Sequence, residues 1–152
     1  MPSEPRDRLQ EALRERYTLE RELGRAAYVA LGRYAEAVPV LRRSFDPAAR
    51  QSMPLAMLGY ALAKSGRRAE AEQILRELLD RRRRAYVVPT SLAVLSAGLG
   101  DTVETFGWLG RAVEGRDPFL LYNYVNDSIM APFRRDPRGQ AILRAMGLAP
   151  AL

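Results

Sequence analysis

The sequence predicts an all-α fold: a short right-handed solenoid of about three helix–turn–helix repeats, followed by a divergent helical cap at the C-terminus. A pattern recurs with a 34-residue period, and between its glycines the apolar residues recur at the three- and four-residue spacing of helices with one buried face. A unit of this kind cannot bury its apolar face alone and must stack on its neighbours. The clearest columns of the pattern are Gly32, Gly66 and Gly100; Glu36, Glu70 and Glu104; Ala37, Ala71 and Thr105; and Leu41, Leu75 and Leu109.

The second repeat predicts its helices most plainly. A first helix spans 53–65, with Ser52 as its N-cap, and a second, antiparallel helix follows Gly66 from 67 to about 83. In the third repeat, Pro89 opens a helix that runs to Gly100, and Asp101 or Thr102 caps the next one. The first repeat follows the same plan on either side of its own glycine.

Domain boundaries follow from the repeat period. We expect an N-terminal helical extension over 1–17, repeats over 18–51, 52–85 and 86–117, and a capping segment over 118–152. The period is expected to end at Asp117. Residues 131–137 are predicted to form an extended or turned linker, because residues before a proline avoid the helical region. A last helix is predicted from Pro137 to about Met146.

Composition excludes several classes of function. The 152 residues include no cysteine and no histidine, which rules out disulfides, thiolate nucleophiles, Cys/His zinc sites and Ser-His-Asp triads. We therefore predict no catalytic residues, no metal site and no cofactor. No apolar run is long enough to span a bilayer, and the N-terminus has no secretory pattern, so a cytoplasmic protein without membrane contact is expected.

The period and its small residues resemble the tetratricopeptide repeat over roughly residues 18–117. The residues that carry the resemblance are best preserved in the second copy: Leu58, Gly59, Leu62, Gly66, Ala71, Leu75 and Leu78. The resemblance implies a non-catalytic module that binds a protein or peptide. The tail from Arg116 to Leu148 looks like the end of repeat regions in bacterial serine/threonine kinases and adenylate cyclases. Residues 8–25 are similar to the start of such a kinase domain, but the kinase core does not follow.

In stacked helix pairs of this kind, the first helices line a concave groove. The residues predicted to face this groove are mostly small and apolar, and they form the candidate partner site: Met53, Ala56, Tyr60 and Ala63, with Val87, Thr90, Val94 and Ala97. The alternative is that the N-terminal helix or the C-terminal tail of the chain fills the groove. Self-association into a homodimer is a further open alternative, because an unfilled apolar groove favours it.

A basic cluster, Arg81, Arg82, Arg83 and Arg84, offers a second hypothesis. With a net charge of +6, the cluster could bind nucleic acid or an acidic surface. The simpler interpretation is a solvated helix end, where arginines interact favourably with the terminal carbonyl groups. The sequence favours the simpler interpretation and disfavours nucleic acid, because no aromatic residues alternate with the arginines.

Overall fold

A computed structural model of the chain describes residues 8–13, 28–44 and 51–148. The described part is helical and contains no strand, which confirms the predicted all-α repeat fold. None of its helices is long and apolar enough to cross a membrane. The main helices are α1 (Tyr34–Ser44), α2 (Ser52–Lys64), α3 (Arg68–Arg82), α4 (Pro89–Leu99), α5 (Thr102–Glu114), α6 (Pro118–Leu120), α7 (Ala131–Arg135) and α8 (Pro137–Ala145).

Shorter helical segments complete the described chain. A π-helical turn, Leu121–Asn126, and a 3-10 turn, Ser128–Met130, connect α6 to α7. Residues 8–13 and 28–30 are also helical. Much of the predicted N-terminal extension and the junction between the first two repeats lie outside the described residues.

The glycine column forms the turn inside each repeat. Gly32, Gly66 and Gly100 adopt φ values of 70°, 87° and 76°, a left-handed conformation that favours glycine at the end of a helix. In the second repeat, the amide of Arg67 donates to the carbonyl of Leu62 at 2.8 Å across this turn. The turn reverses the chain, so the second helix of each repeat packs against the first.

Close approach between the first helices depends on small residues. Helix α2 packs against α1, α3 and α4, and α4 packs in turn against α5. A Cβ atom added to Gly98 would lie 2.8 Å from the Cα of Tyr60, so α4 could not approach α2 as closely with a larger residue there. Ala37, Ala71 and Thr105, the small-residue column of the repeat, are fully buried.

The repeat register continues past Asp117, where the sequence predicts that it ends. Gly139, Ile142 and Leu143 stand one repeat period after Thr105, Trp108 and Leu109, and all three are buried in α8. Helix α8 packs against α5, the second helix of the preceding repeat. The C-terminal segment therefore follows the repeat register through its second helix, while the π-helical turn, the 3-10 turn and the start of α7 stand in place of its first.

The predicted linker over 131–137 is instead mostly the short helix α7. Pro132 lies in its first turn, where a proline is tolerated because the amide it lacks has no intrahelical partner. The Arg134 side chain donates from Nη1 to the carbonyls of Tyr124 at 2.7 Å and Asp127 at 2.8 Å. These bonds tie α7 to the π-helical turn. The positions of the prolines in the sequence could not show that these bonds would stabilise a helix here.

Candidate functional site

The predicted groove residues lie on α2, on α4 and in the loop before α4, and most of them are buried. Met53 and Ala63, near the two ends of α2, are only partly buried. The side chains of the other six have at most 6% of their surface exposed. These six are Ala56, Tyr60, Val87, Thr90, Val94 and Ala97. Most of the residues predicted to face a partner are therefore covered, and that they form a binding surface stays a prediction.

Tyr60 shows what surrounds this face. Its ring packs edge-on against Tyr34 of α1, with centroids 5.7 Å apart, and the Lys64 Nζ lies 5.8 Å from its centroid. Burial, followed by interaction with Tyr34 and the negative charge of Asp127, raises the pKa of Tyr60. Tyr60 is therefore held against α1 through its ring contact with Tyr34.

Of the two segments proposed to fill the groove, the C-terminal one lies beside it. The 3-10 turn Ser128–Met130 packs against α4, and Ile129 and Met130 are buried. In the N-terminal segment, the described residues 8–13 are exposed. The arrangement places chain from the C-terminal unit next to the predicted groove and leaves Met53 and Ala63 as its accessible positions.

Thr90, one of the groove residues, is engaged in a structural contact. Its backbone amide and its hydroxyl both donate to Asp117 Oδ2, at 2.9 and 2.6 Å, and both residues are buried. The other oxygen of Asp117 accepts the amide of Phe119 at 2.9 Å and caps α6. One carboxylate therefore joins the start of α4 to the start of the C-terminal unit.

The arginine cluster at the end of α3 is mostly used within the chain. Arg81 pairs with Glu77 at 2.7 Å and Arg84 with Asp80 at 2.5 Å, each one helical turn away. The Arg82 guanidinium lies 5.2 Å from the ring centroid of Trp108, over the face of the ring. These contacts agree with the simpler interpretation, in which the cluster is a solvated helix end.

Sequence reasoning missed a cleft of about 160 Å³ between α3 and α5, the second helices of the second and third repeats. Most of its lining surface is apolar, but buried Ser96 and four charged residues also line it. It is lined by Leu75, Leu79, Ser96, Leu99 and Trp108, with Arg68, Glu72, Asp101 and Glu104 around them. The sequence signal for it was Ser96, which stands one repeat period after Leu62 in an apolar column.

Trp108 forms one wall of the cleft. Its indole is buried, as the sequence predicted, and the Arg111 guanidinium lies 4.4 Å from the ring centroid. Arg68 donates to the Leu99 carbonyl at 2.9 Å and pairs with Glu72 at 2.8 Å, which fixes one end of the rim. In the described ranges, no group of three or more acidic residues is placed to hold a metal ion.

Comparison with known proteins found a family match, which covers most of the second repeat. The family model described as tetratricopeptide repeat matches residues 55–88, which cover most of α2, all of α3 and the loop after it. No curated protein and no solved structure gave a match to this chain. Together with the stacked helix pairs and the glycine turns, the match over 55–88 supports the prediction of a tetratricopeptide-repeat protein.

Proposed function

We propose that the chain is a non-catalytic interaction module that binds a protein or peptide at the inner face of α2 and α4. The observation that carries this proposal is the tetratricopeptide match over residues 55–88, since repeats of this family generally mediate protein–protein interaction. The matched segment includes four of the residues predicted to face the partner: Ala56, Tyr60, Ala63 and Val87.

The burial of the inner face restricts how a partner could bind. Six of the eight predicted residues are covered, so a partner contacts the two accessible positions, Met53 and Ala63, or displaces the chain that covers the others. Contact at the ends of α2 needs no rearrangement and is the simpler mode. An apolar side chain on the partner would then pack against Met53, whose flexible thioether adapts to differently shaped surfaces.

The test substitutes the accessible positions instead of the buried ones. Met53→Glu and Ala63→Glu each place a charge on the proposed contact surface, and Leu31→Glu is the control, because Leu31 is 70% exposed in the turn of the first repeat. Each variant must keep a wild-type circular dichroism melt. We expect partners captured by the wild-type chain and by Leu31→Glu to be lost with the other two. Equal capture by all four proteins would refute inner-face binding.

The other functions that the sequence allowed gain less support. Electrostatic binding through Arg81–Arg84 would use guanidinium groups of which three contact acidic or aromatic side chains of the same chain. Origin from a kinase–repeat protein stays a prediction, and residues 14–25 of its head segment lie outside the described residues. The bounds of the three repeats over 18–117, the bacterial origin implied by the kinase resemblance and the cytoplasmic location also stay predictions.

A further inference from the structure

The described part of the chain has three junctions between consecutive second helices, and they can be compared position by position. The first lies between α1 and α3, the second between α3 and α5, and the third between α5 and α8. Because each junction is displaced from the previous one by one repeat period, every lining position has a sequence counterpart at the other two; the counterpart of Leu79 at the first junction, Phe45, lies outside the described residues. The cleft of about 160 Å³ lies at the middle junction.

The first junction has bulky apolar residues where the cleft has polar ones. Leu62 and Val38 are 1% and 3% exposed there, and their counterparts one period later are Ser96 and Glu72. Ser96 is itself buried, so the shorter side chain leaves space that no other side chain has entered. The middle junction is therefore open because its sequence lacks the side chains that fill the first.

The third junction is filled in another way. Met130, the counterpart of Ser96, is fully buried, and Phe106, the counterpart of Glu72, packs edge-on against Phe133 with centroids 5.6 Å apart. The Arg138 guanidinium lies 4.3 Å from the Phe106 centroid and covers the ring. Among the three described junctions, the middle one alone has neither large apolar residue.

An ion pair that joins the two second helices at the first junction has no equivalent between α3 and α5 at the cleft. At the first junction, Arg42 of α1 pairs with Glu70 of α3 at 2.6 Å. The counterparts at the middle junction are Arg76 and Glu104, and no ion pair joins these two described residues. Glu104 lines the cleft, so a carboxylate lies beside the apolar space. A side chain that fills the cleft and a cation that reaches Glu104 would together reproduce the first junction.

The chain carries a segment with this chemistry. Residues 8–13 form a helix on which Leu9 and Leu13 are 61% and 55% exposed, one turn apart on the same face. In the sequence, Arg14 and Arg16 follow Leu13. Residues 8–16 contain three arginines and two glutamates, a net charge of +1, whereas the charged residues that line the cleft, Arg68, Glu72, Asp101 and Glu104, have a net charge of −2. The segment thus offers apolar side chains to an apolar cleft of opposite net charge.

We propose that the cleft between α3 and α5 binds the N-terminal helix of a second copy of this chain, with a leucine in the position that Leu62 fills at the first junction. Reciprocal exchange of the two helices closes a twofold dimer, the most common symmetric assembly. One helix per cleft is a small contact, so the dimer is weak and forms at high protein concentration. This surface lies between second helices, and the proposal is independent of partner binding at the inner face.

The full-length chain tests the proposal by sedimentation equilibrium at concentrations up to roughly 500 μM, chosen for a weak dimer. Ser96→Leu restores the residue of the first junction and fills the cleft, and Leu9→Glu with Leu13→Glu removes the apolar face of the helix. The control is Leu31→Glu, another exposed leucine that belongs to neither surface. We expect the first two variants to weaken dimerisation by at least about tenfold and the control to match the wild type.

A second measurement uses Trp108, the single tryptophan of the chain and a wall of the cleft. Adding a synthetic peptide of residues 5–16 should shift its emission in the wild-type protein and leave it unchanged in Ser96→Leu. The peptide with glutamate at positions 9 and 13 should cause no shift. A wild-type chain that stays monomeric, or dimerisation and emission changes that Ser96→Leu does not affect, would overturn the proposal.

Discussion

Gly139 is the position where a single methyl group should do most damage. It stands in the small-residue column of the repeat, where the earlier copies have Ala37, Ala71 and Thr105, so alanine looks acceptable from the sequence. In the structure, a Cβ atom at Gly139 would overlap the carbonyl oxygen of Phe133. It would also lie 2.7 Å from the Phe133 carbonyl carbon and 2.6 Å from the Tyr124 hydroxyl oxygen. Gly139→Ala therefore forces α8 away from α7.

Two effects of opposite sign decide the magnitude. Alanine is about 1 kcal/mol more favourable than glycine inside a helix. Overpacking against a well-packed site costs about 1–3 kcal/mol, and the upper part of that range applies here because the obstructing atoms are backbone, which cannot rotate aside. We expect a net loss of about 2 kcal/mol in the free energy of unfolding, equivalent to a fall of roughly 4–8 °C in Tm for a chain of this size.

The assay is urea unfolding followed by circular dichroism, with Gly107→Ala as the matched control. Gly107 lies within α5, is exposed, and has no atom within 4 Å of the site of an added Cβ. Gly107→Ala should stabilise the chain by about 1 kcal/mol through helix propensity alone. If Gly139→Ala proves as stable as the wild type or more so, the close approach of α7 and α8 is wrong.

Further predictions concern the C-terminal unit. The Tyr124 hydroxyl is buried and has no hydrogen-bond partner in the described chain, so Tyr124→Phe should raise the free energy of unfolding by about 1 kcal/mol in urea titrations. Burial raises the pKa of Tyr124 from 10.0 to about 12, so the unfolded chain loses this proton at a lower pH than the folded chain, and the free energy of unfolding should fall as the pH rises from 10 to about 12. Alkaline unfolding should be shallower in Tyr124→Phe, and an unchanged pH profile would exclude this residue as its cause. Asp117→Ala leaves the buried amide and hydroxyl of Thr90 without their acceptor and should cost about 2–4 kcal/mol, whereas the loss of a solvated cap alone would cost about 1 kcal/mol.

The repeat helices could be predicted because their signals are local. Gly66 and Gly100 mark turns through a backbone conformation that other residues avoid, and the apolar spacing along α3 and α5 marks their buried faces. Asp101 was predicted as one of two possible caps, and its carboxylate accepts the amide of Glu104 at 3.0 Å. Each of these features depends on residues within a few positions along the chain.

The exposure of the candidate site residues was harder to predict, because it depends on which other parts of the chain pack against each side chain. The register placed Tyr60 and Val94 on the inner face, but it could not show that they would be 5% and 1% exposed. That burial comes from segments distant in sequence, including the aromatic contact with Tyr34. Charged substitutions at these two positions would therefore disrupt the core before they tested binding.

The sequence by itself determined that this protein is a stack of helix pairs with a fixed repeat period, because that period reflects local turns and helix faces. Only the tertiary structure decided that α8 continues the register beyond Asp117, since the glycine that marks the earlier turns is replaced by Arg134 and the bonds of that arginine are not local. The cleft between α3 and α5 was likewise decided in three dimensions. Ser96 opens it, and it is visible only when residues of three helices are brought together.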